Sequence, residues 1–132
     1  MMFHRFQFYR SSIVHCIGIF PPRPHAFIAS HRSPVKDLTY WYHPHTSQKE
    51  LPILFLHGIG VGLYPYMKFL KELNKGRRVE DGEIGILAVE ILPVSSRITA
   101  PSLRKEEMCQ QLQIILYHHK FEKFVVVSYL WI

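Results

Sequence analysis

A short apolar run that breaks off in glycines is the feature of this sequence that most constrains its fold. Residues 51–56 read Leu-Pro-Ile-Leu-Phe-Leu, and His57, Gly58, Ile59 and Gly60 follow at once. A continuous apolar run of this length is typical of a central strand that is covered on both faces. Because glycine permits backbone conformations that other residues resist, the run predicts a strand that leads into a tight turn. The N–H groups of such a turn can converge on negative charge.

An amphipathic helix is predicted directly after this turn. Pro65 suits the first helical position, and Gly76 suits the end of the helix. Lysines and a glutamate occupy the opposite side, which we expect to face solvent. The residues of the apolar face have helical spacing: Leu63, Tyr66, Met67, Leu70 and Leu73.

Three more strands and a second helix are predicted in the rest of the chain. Residues 37–43 alternate in the manner of a strand, and residues 84–90 and 124–127 are apolar runs that predict buried strands. Ser102 can cap a helix that extends to about His118. The order strand, strand, helix, strand, helix, strand predicts the α/β class with a mainly parallel sheet. The positions of the second helix expected to face inward are Met108, Cys109, Leu112, Ile115 and Leu116.

The positive charge of the chain is concentrated in residues 1–36. The formal net charge is +6, yet no acidic residue precedes Asp37. We therefore interpret residues 1–36 as a basic leader and linker, with three prolines at residues 21–24, and residues 37–132 as one partial domain. Since the basicity belongs to the leader, nucleic-acid binding is not indicated. The leader fits an organelle transit segment, a signal peptide or a tail that contacts a membrane surface, and localisation stays open among these.

Neither the cysteines nor the histidines predict a metal or a cofactor. Cys16 and Cys109 are too few for a disulfide framework, and we expect both to be small buried apolar groups. His43 and His45 form the one close pair with ligand-like spacing, but the loop around them offers no third ligand. His118 and His119 are expected to cap carbonyls at the helix end or to face solvent.

Residues 37–128 resemble the amino-terminal part of the α/β-hydrolase family. The resemblance rests on the His57-Gly58-Ile59-Gly60 segment at a strand end, which matches the oxyanion motif of that family. It implies an incomplete sheet of the α/β-hydrolase type with flanking helices. It also implies that the backbone N–H of Ile59 donates to an oxyanion. The family activity is hydrolysis of an ester or similar acyl bond in a small molecule by a Ser-His-Asp/Glu triad.

The same resemblance predicts that the chain lacks a nucleophile. Ser128 aligns with the first small residue of the family's nucleophile motif, Leu130 with the serine itself, and Ile132 with the final glycine. Ser128 could replace the nucleophile only with a base and an acid, which in this family follow the serine along the chain. We therefore expect a hydrolase fragment truncated at the nucleophile turn, with negligible esterase activity.

Two alternatives remain open. A dinucleotide-binding turn is less suitable, because Gly58, Gly60 and Gly62 have the wrong spacing and Glu90 is the only acid placed for a ribose contact. A non-enzymatic product would act through its basic, aromatic leader and the exposed edge of the strand at residues 124–132, which has high β-propensity.

Overall fold

The computed structural model of the chain describes residues 6–10, 31–57, 63, 66–90 and 104–128. The strands, helices and sheet are therefore given for these residues alone. In chain order the elements are β1 (Gln7–Arg10), β2 (His31–Arg32), β3 (Thr39–His43), β4 (Ile53–Leu56), α1 (Met67–Glu72), a 3₁₀ helix (Val79–Asp81), β5 (Ile86–Glu90), α2 (Lys105–His118) and β6 (Val125–Ser128). The order of elements that the sequence predicts from β3 to β6 is confirmed.

The six strands of the described residues form one mixed sheet in the order β2-β1-β3-β5-β4-β6. β4 pairs in parallel with β5 and with β6, and β1 pairs in parallel with β2. β3, however, is antiparallel to both of its neighbours, β1 and β5. Five of the six described strands thus run in one direction and β3 alone runs in the other, so the predictions of the α/β class and of a mainly parallel sheet are confirmed, although the sheet is mixed. Alternation of side chains is the same in both strand directions, so the sequence pattern did not reveal how β3 runs.

Two of the six strands lie within the segment that the sequence presents as a leader. β1 pairs with β3 in the register Gln7↔Tyr42, Phe8↔Trp41 and Tyr9↔Tyr40. Aromatic cross-strand contacts accompany this pairing, with ring centroids 4.7 Å apart for Phe8 and Trp41. Such pairs stabilise a sheet across a long sequence separation, and local composition does not reveal them. Residues 1–5 and 11–30 of the predicted leader lie outside the described part of the chain.

The two helices pack on opposite faces of the sheet. One apolar cluster contains Leu70 of α1 with Trp41, Phe55, Leu63, Ile86 and Ala88. The other contains Ile115 and Leu116 of α2 with strand residues that include Tyr40, Leu54, Leu56, Leu87 and Val89. Neighbouring strand residues such as Leu54 and Phe55 belong to different clusters, because successive side chains point to opposite faces. Central strands β4 and β5 are therefore covered on both sides, as their apolar sequences predict.

The structure refines the ends of both helices. The first helix ends at Glu72, earlier than the predicted stop at Gly76; residues 73–76 form a turn, in which Gly76 has a φ of +76°. The second helix begins later than predicted: Arg104, not Ser102, is the N-cap of α2, and its N–H donates to a carboxylate oxygen of Glu107 at 3.3 Å. Pro65 and Ser102 themselves lie outside the described residues. No helix of the described segments is long and apolar enough to cross a membrane.

Two predictions of burial are wrong. β6 was expected to be a buried strand, yet Val125 is 46% and Val126 52% exposed. The reason is the strand order, which puts β6 at an edge of the described sheet. Cys109 is exposed on α2 rather than buried, because Leu116 and Ile115 of this helix, not Cys109, point to the sheet.

Candidate functional site

The strand order creates a switch point between β4 and β6. From β4 the chain passes through α1 to β5 on one side, and from β5 it passes through α2 to β6 on the other side of β4. Right-handed crossovers that run in opposite directions require helices on opposite faces, which is the arrangement observed. Open α/β sheets bind ligands outside the carboxyl ends of their strands at such a switch point. The carboxyl ends of β4 and β6 therefore mark the candidate site.

Three polar residues singled out in the sequence lie at this edge. Ser128 is the last residue of β6, is exposed, and pairs in register with Leu56 at the end of β4. His57 follows Leu56 directly and has no exposed surface. Glu90 ends β5 and is 7% exposed; its neighbour Val89 is the register partner of Leu56 on that side. The sheet thus brings an imidazole, a hydroxyl and a carboxylate, which are groups suited to acid–base chemistry, to the ends of three adjacent parallel strands.

The glycine-rich turn itself falls outside the described residues. Gly58, Ile59 and Gly60, together with Leu130 and Ile132, belong to segments whose structure is not described. Of the predicted oxyanion segment, only His57 has a described position.

His43 and His45 lie at the opposite edge of the sheet, since His43 is the register partner of Ile86 at the start of β5. His43 Nε2 lies 2.6 Å from a carboxylate oxygen of Glu83. His45 Nδ1 accepts a hydrogen bond of 2.9 Å from the N–H of Gly85. Both rings therefore contact the segment before β5, His43 from the end of β3 and His45 from the β3–β4 connection. Among the described residues no group of three potential ligands could hold a metal ion.

His119 makes a contact within the fold that the sequence did not predict. His118 is exposed as expected, but His119 is half-buried, and its Nε2 lies 2.7 Å from the hydroxyl of Tyr40. Burial first, and then the neighbouring His118 and His31, lower the pKa of His119 from 6.5 to about 4. The prediction that His119 caps a carbonyl or faces solvent is wrong, because the aromatic residues of β1 and β3 enclose the end of α2. The alternation of Tyr40 and Tyr42 in β3 was the available signal that this face is apolar.

An open groove is present away from the switch point. It runs along the end of α2 and the connection to β6, and its apolar lining includes Ile114, Tyr117, Phe121 and Phe124. Since this connection leads into the amino end of β6, the groove lies at the other edge of the sheet from His57 and Ser128. It is not part of the candidate site.

No protein-family model matches the chain, and neither a curated protein nor a solved structure is significantly similar to it. The structure therefore defines the class of the protein: an α/β fold with a mixed sheet and a switch point between β4 and β6. A finer assignment is a matter for proposal.

Proposed function

We propose that this chain forms the amino-terminal part of an α/β-hydrolase-type domain and contributes a backbone oxyanion site without a catalytic triad. The observation that carries the proposal is the location of His57 at the carboxyl end of β4, directly before Gly58-Ile59-Gly60 and beside the end of β6. In hydrolases of this type, the oxyanion turn and the nucleophile lie at neighbouring strand ends of this kind. The substrate class is then an ester or similar acyl compound.

Catalysis by the 132-residue chain requires groups that its sequence does not supply at the expected positions. The residues that follow β6 are Tyr129, Leu130, Trp131 and Ile132, none of which is a nucleophile with small neighbours. Loss of triad members leaves about 10³–10⁴-fold acceleration over water when the oxyanion hole stays intact. The second donor of that hole is the N–H after the nucleophile, and residue 130, which aligns with the nucleophile, is leucine. We therefore propose negligible hydrolytic activity for this chain.

The loss of catalysis is tested with p-nitrophenyl acetate and purified 132-residue chain. We expect release of p-nitrophenol at the same rate as with the Ser128→Ala variant. A faster rate that Ser128→Ala abolishes would mean that Ser128 acts as a nucleophile, and the proposal would then be wrong.

The retained oxyanion site has a separate test by NMR. Methylphosphonate imitates the tetrahedral oxyanion of acyl transfer, so its titration should shift the backbone amide signal of Ile59 in a saturable manner. The amide of Gly76, in a turn at the end of α1, is the internal control and should not move. Equal small shifts at Ile59 and Gly76 would show only a general salt effect and would contradict the proposal.

A second candidate function is favoured by the exposure of β6. The exposed fractions of Val125 and Val126, 46% and 52%, give this strand an apolar surface at the edge of the described sheet. Such an edge can pair with a strand of another chain. In this alternative the protein is a non-enzymatic interaction partner. Contact with a membrane surface through the leader would involve residues 1–5 and 11–30, which lie outside the described part.

A further inference from the structure

Three tyrosines surround the ring of His119 at the end of α2. Tyr42 of β3 stacks on this ring, with centroids 3.8 Å apart, and Tyr9 of β1 meets it edge-on at 4.9 Å. Tyr40 meets it edge-on at 5.4 Å. Tyr9 in turn stacks on Tyr40, with centroids 4.8 Å apart and ring planes 5° from parallel. The side chain of Tyr9 thus connects β1 to β3 and α2. We call the four residues Tyr9, Tyr40, Tyr42 and His119 the tyrosine–histidine cluster.

A hydrogen bond in which the Tyr40 hydroxyl donates to His119 requires a neutral imidazole with an unprotonated Nε2. The two atoms, Tyr40 Oη and His119 Nε2, are 2.7 Å apart, and Tyr40 is completely buried. A neutral ring can accept the hydroxyl proton at Nε2, whereas a protonated ring has donors on both nitrogens and no acceptor. Protonation would force the hydroxyl of Tyr40 to turn and would remove the acceptor of its O–H inside the protein, which is unfavourable.

The surroundings of His119 add further positive charge in acid. The titratable groups that face it from the described elements are Tyr9 of β1, Tyr40 and Tyr42 of β3, His31 of β2 and His118 of α2. Both histidines become cations when they are protonated, so they repel a charged His119. Attraction between a cation and the face of Tyr42 acts in the opposite direction. Burial and the two histidines outweigh it, because together they lower the pKa of His119 to about 4.

β1 is a short strand near one edge of the described sheet. It has four residues, and its outer neighbour β2 has only two. The central strands β4 and β5, by contrast, have a strand on each side and a helix on each face. We propose that the tyrosine–histidine cluster is a pH-sensitive latch, which keeps β1 on the sheet near neutral pH and releases it in acid when His119 takes up a proton.

The direction of the pH dependence follows from the two protonation equilibria. The pKa of His119 in the closed cluster, about 4, is lower than the ordinary value of 6.5, and release of β1 removes part of the burial that lowers it. Because the state with β1 released binds this proton more tightly, the free energy that holds β1 on the sheet decreases as pH falls from about 6.5 to about 4. For one proton, the equilibrium constant for release of β1 should rise up to about tenfold for each pH unit in this window.

Hydrogen exchange of the full chain tests the latch. Protection factors of the β1 amides are measured from pH 7 to pH 4, after correction for the intrinsic exchange rate, and compared with those of β5. We expect β1 protection to fall up to about tenfold per pH unit while β5 protection changes much less. In His119→Gln, whose amide oxygen can still accept from Tyr40 but cannot be protonated, β1 protection should stay level.

His118→Gln is the matched control, because His118 is exposed on the same helix end. This variant should keep the acid-induced loss of β1 protection. The proposal is wrong if β1 and β5 lose protection together, if wild-type β1 protection does not depend on pH, or if His119→Gln retains the full dependence. Should His119→Gln not fold, an NMR titration of the wild-type imidazole decides the matter: the His119 signal must titrate well below 6.5, and an ordinary midpoint would overturn the latch.

Discussion

Gly76 and Gly82 both have left-handed backbone conformations, with φ of +76° and +69°, but their surroundings differ. Apart from the adjacent residues of the chain, no described residue has an atom within 4 Å of a Cβ built on Gly76. A Cβ on Gly82 would lie 2.7 Å from the backbone oxygen of Thr46, and Gly82 also has a ψ of −174°, a combination that is essentially limited to glycine. Alanine at Gly76 therefore tests backbone strain alone, whereas alanine at Gly82 tests backbone strain together with a steric conflict.

We predict that Gly82→Ala costs clearly more stability than Gly76→Ala. The substitution at Gly76 should lower the free energy of unfolding by about 1–2 kcal/mol, the cost of a left-handed alanine. At Gly82 the collision with the Thr46 backbone adds to a larger backbone strain, so the loss should exceed about 3 kcal/mol. Urea unfolding followed by far-UV circular dichroism measures both. Equal losses would mean that the 3₁₀ segment moves away from Thr46 without cost.

At the scale of single elements, α2 shows how one helix divides between core and solvent. Ile115 is completely buried against the sheet, whereas its neighbour Ile114 is 48% exposed. Helical periodicity in the sequence predicted that Ile115 and Leu116 face inward, and this is confirmed. The later start of the helix was not predictable in the same way, because the cap depends on the local capping box formed by Arg104 and Glu107.

The same substitution at these two neighbours should have very different effects. Ile115→Ala removes buried methyl groups and leaves a cavity, so we expect a loss of about 2–5 kcal/mol in the free energy of unfolding. Ile114→Ala should change it by less than about 1 kcal/mol, since this side chain is half in water. Chemical unfolding of both variants is the measurement. A large loss in Ile114→Ala would show that the groove beside α2 is packed more tightly than its exposure implies.

At the scale of the whole molecule, the strand order decides which surfaces are available to other chains. β6 is at the edge of the described sheet, although its valines give it the sequence of a central strand. Sequence patterns report how apolar a strand is, but they do not report what lies next to it. For this reason β6, which the sequence predicts to be buried, is an exposed edge strand of the described sheet.

We predict that Val126→Lys reduces self-association of the protein several-fold while it changes stability little. A charge on an edge strand opposes pairing with another strand, and substitutions at exposed positions usually alter stability by less than about 0.5 kcal/mol. Sedimentation velocity over a range of concentrations measures the effect. Val79→Lys is the matched control, because Val79 is 97% exposed and lies outside the sheet. Equal association of the two variants would exclude β6 as the pairing surface.

The sequence by itself determined the α/β class, the order of elements from β3 to β6 and most of the inward-facing helix residues, among them Leu70, Ile115 and Leu116, because these follow from the periodicity of nearby residues. It also located His57, Ser128 and Glu90 at strand ends. Only the tertiary structure decided that β3 is antiparallel, that β1 and β2 complete the sheet, and that β4 and β6 are adjacent. It likewise enclosed His119 among tyrosines from distant strands. These features depend on contacts between residues far apart in the chain, and local sequence patterns carry no record of such pairings.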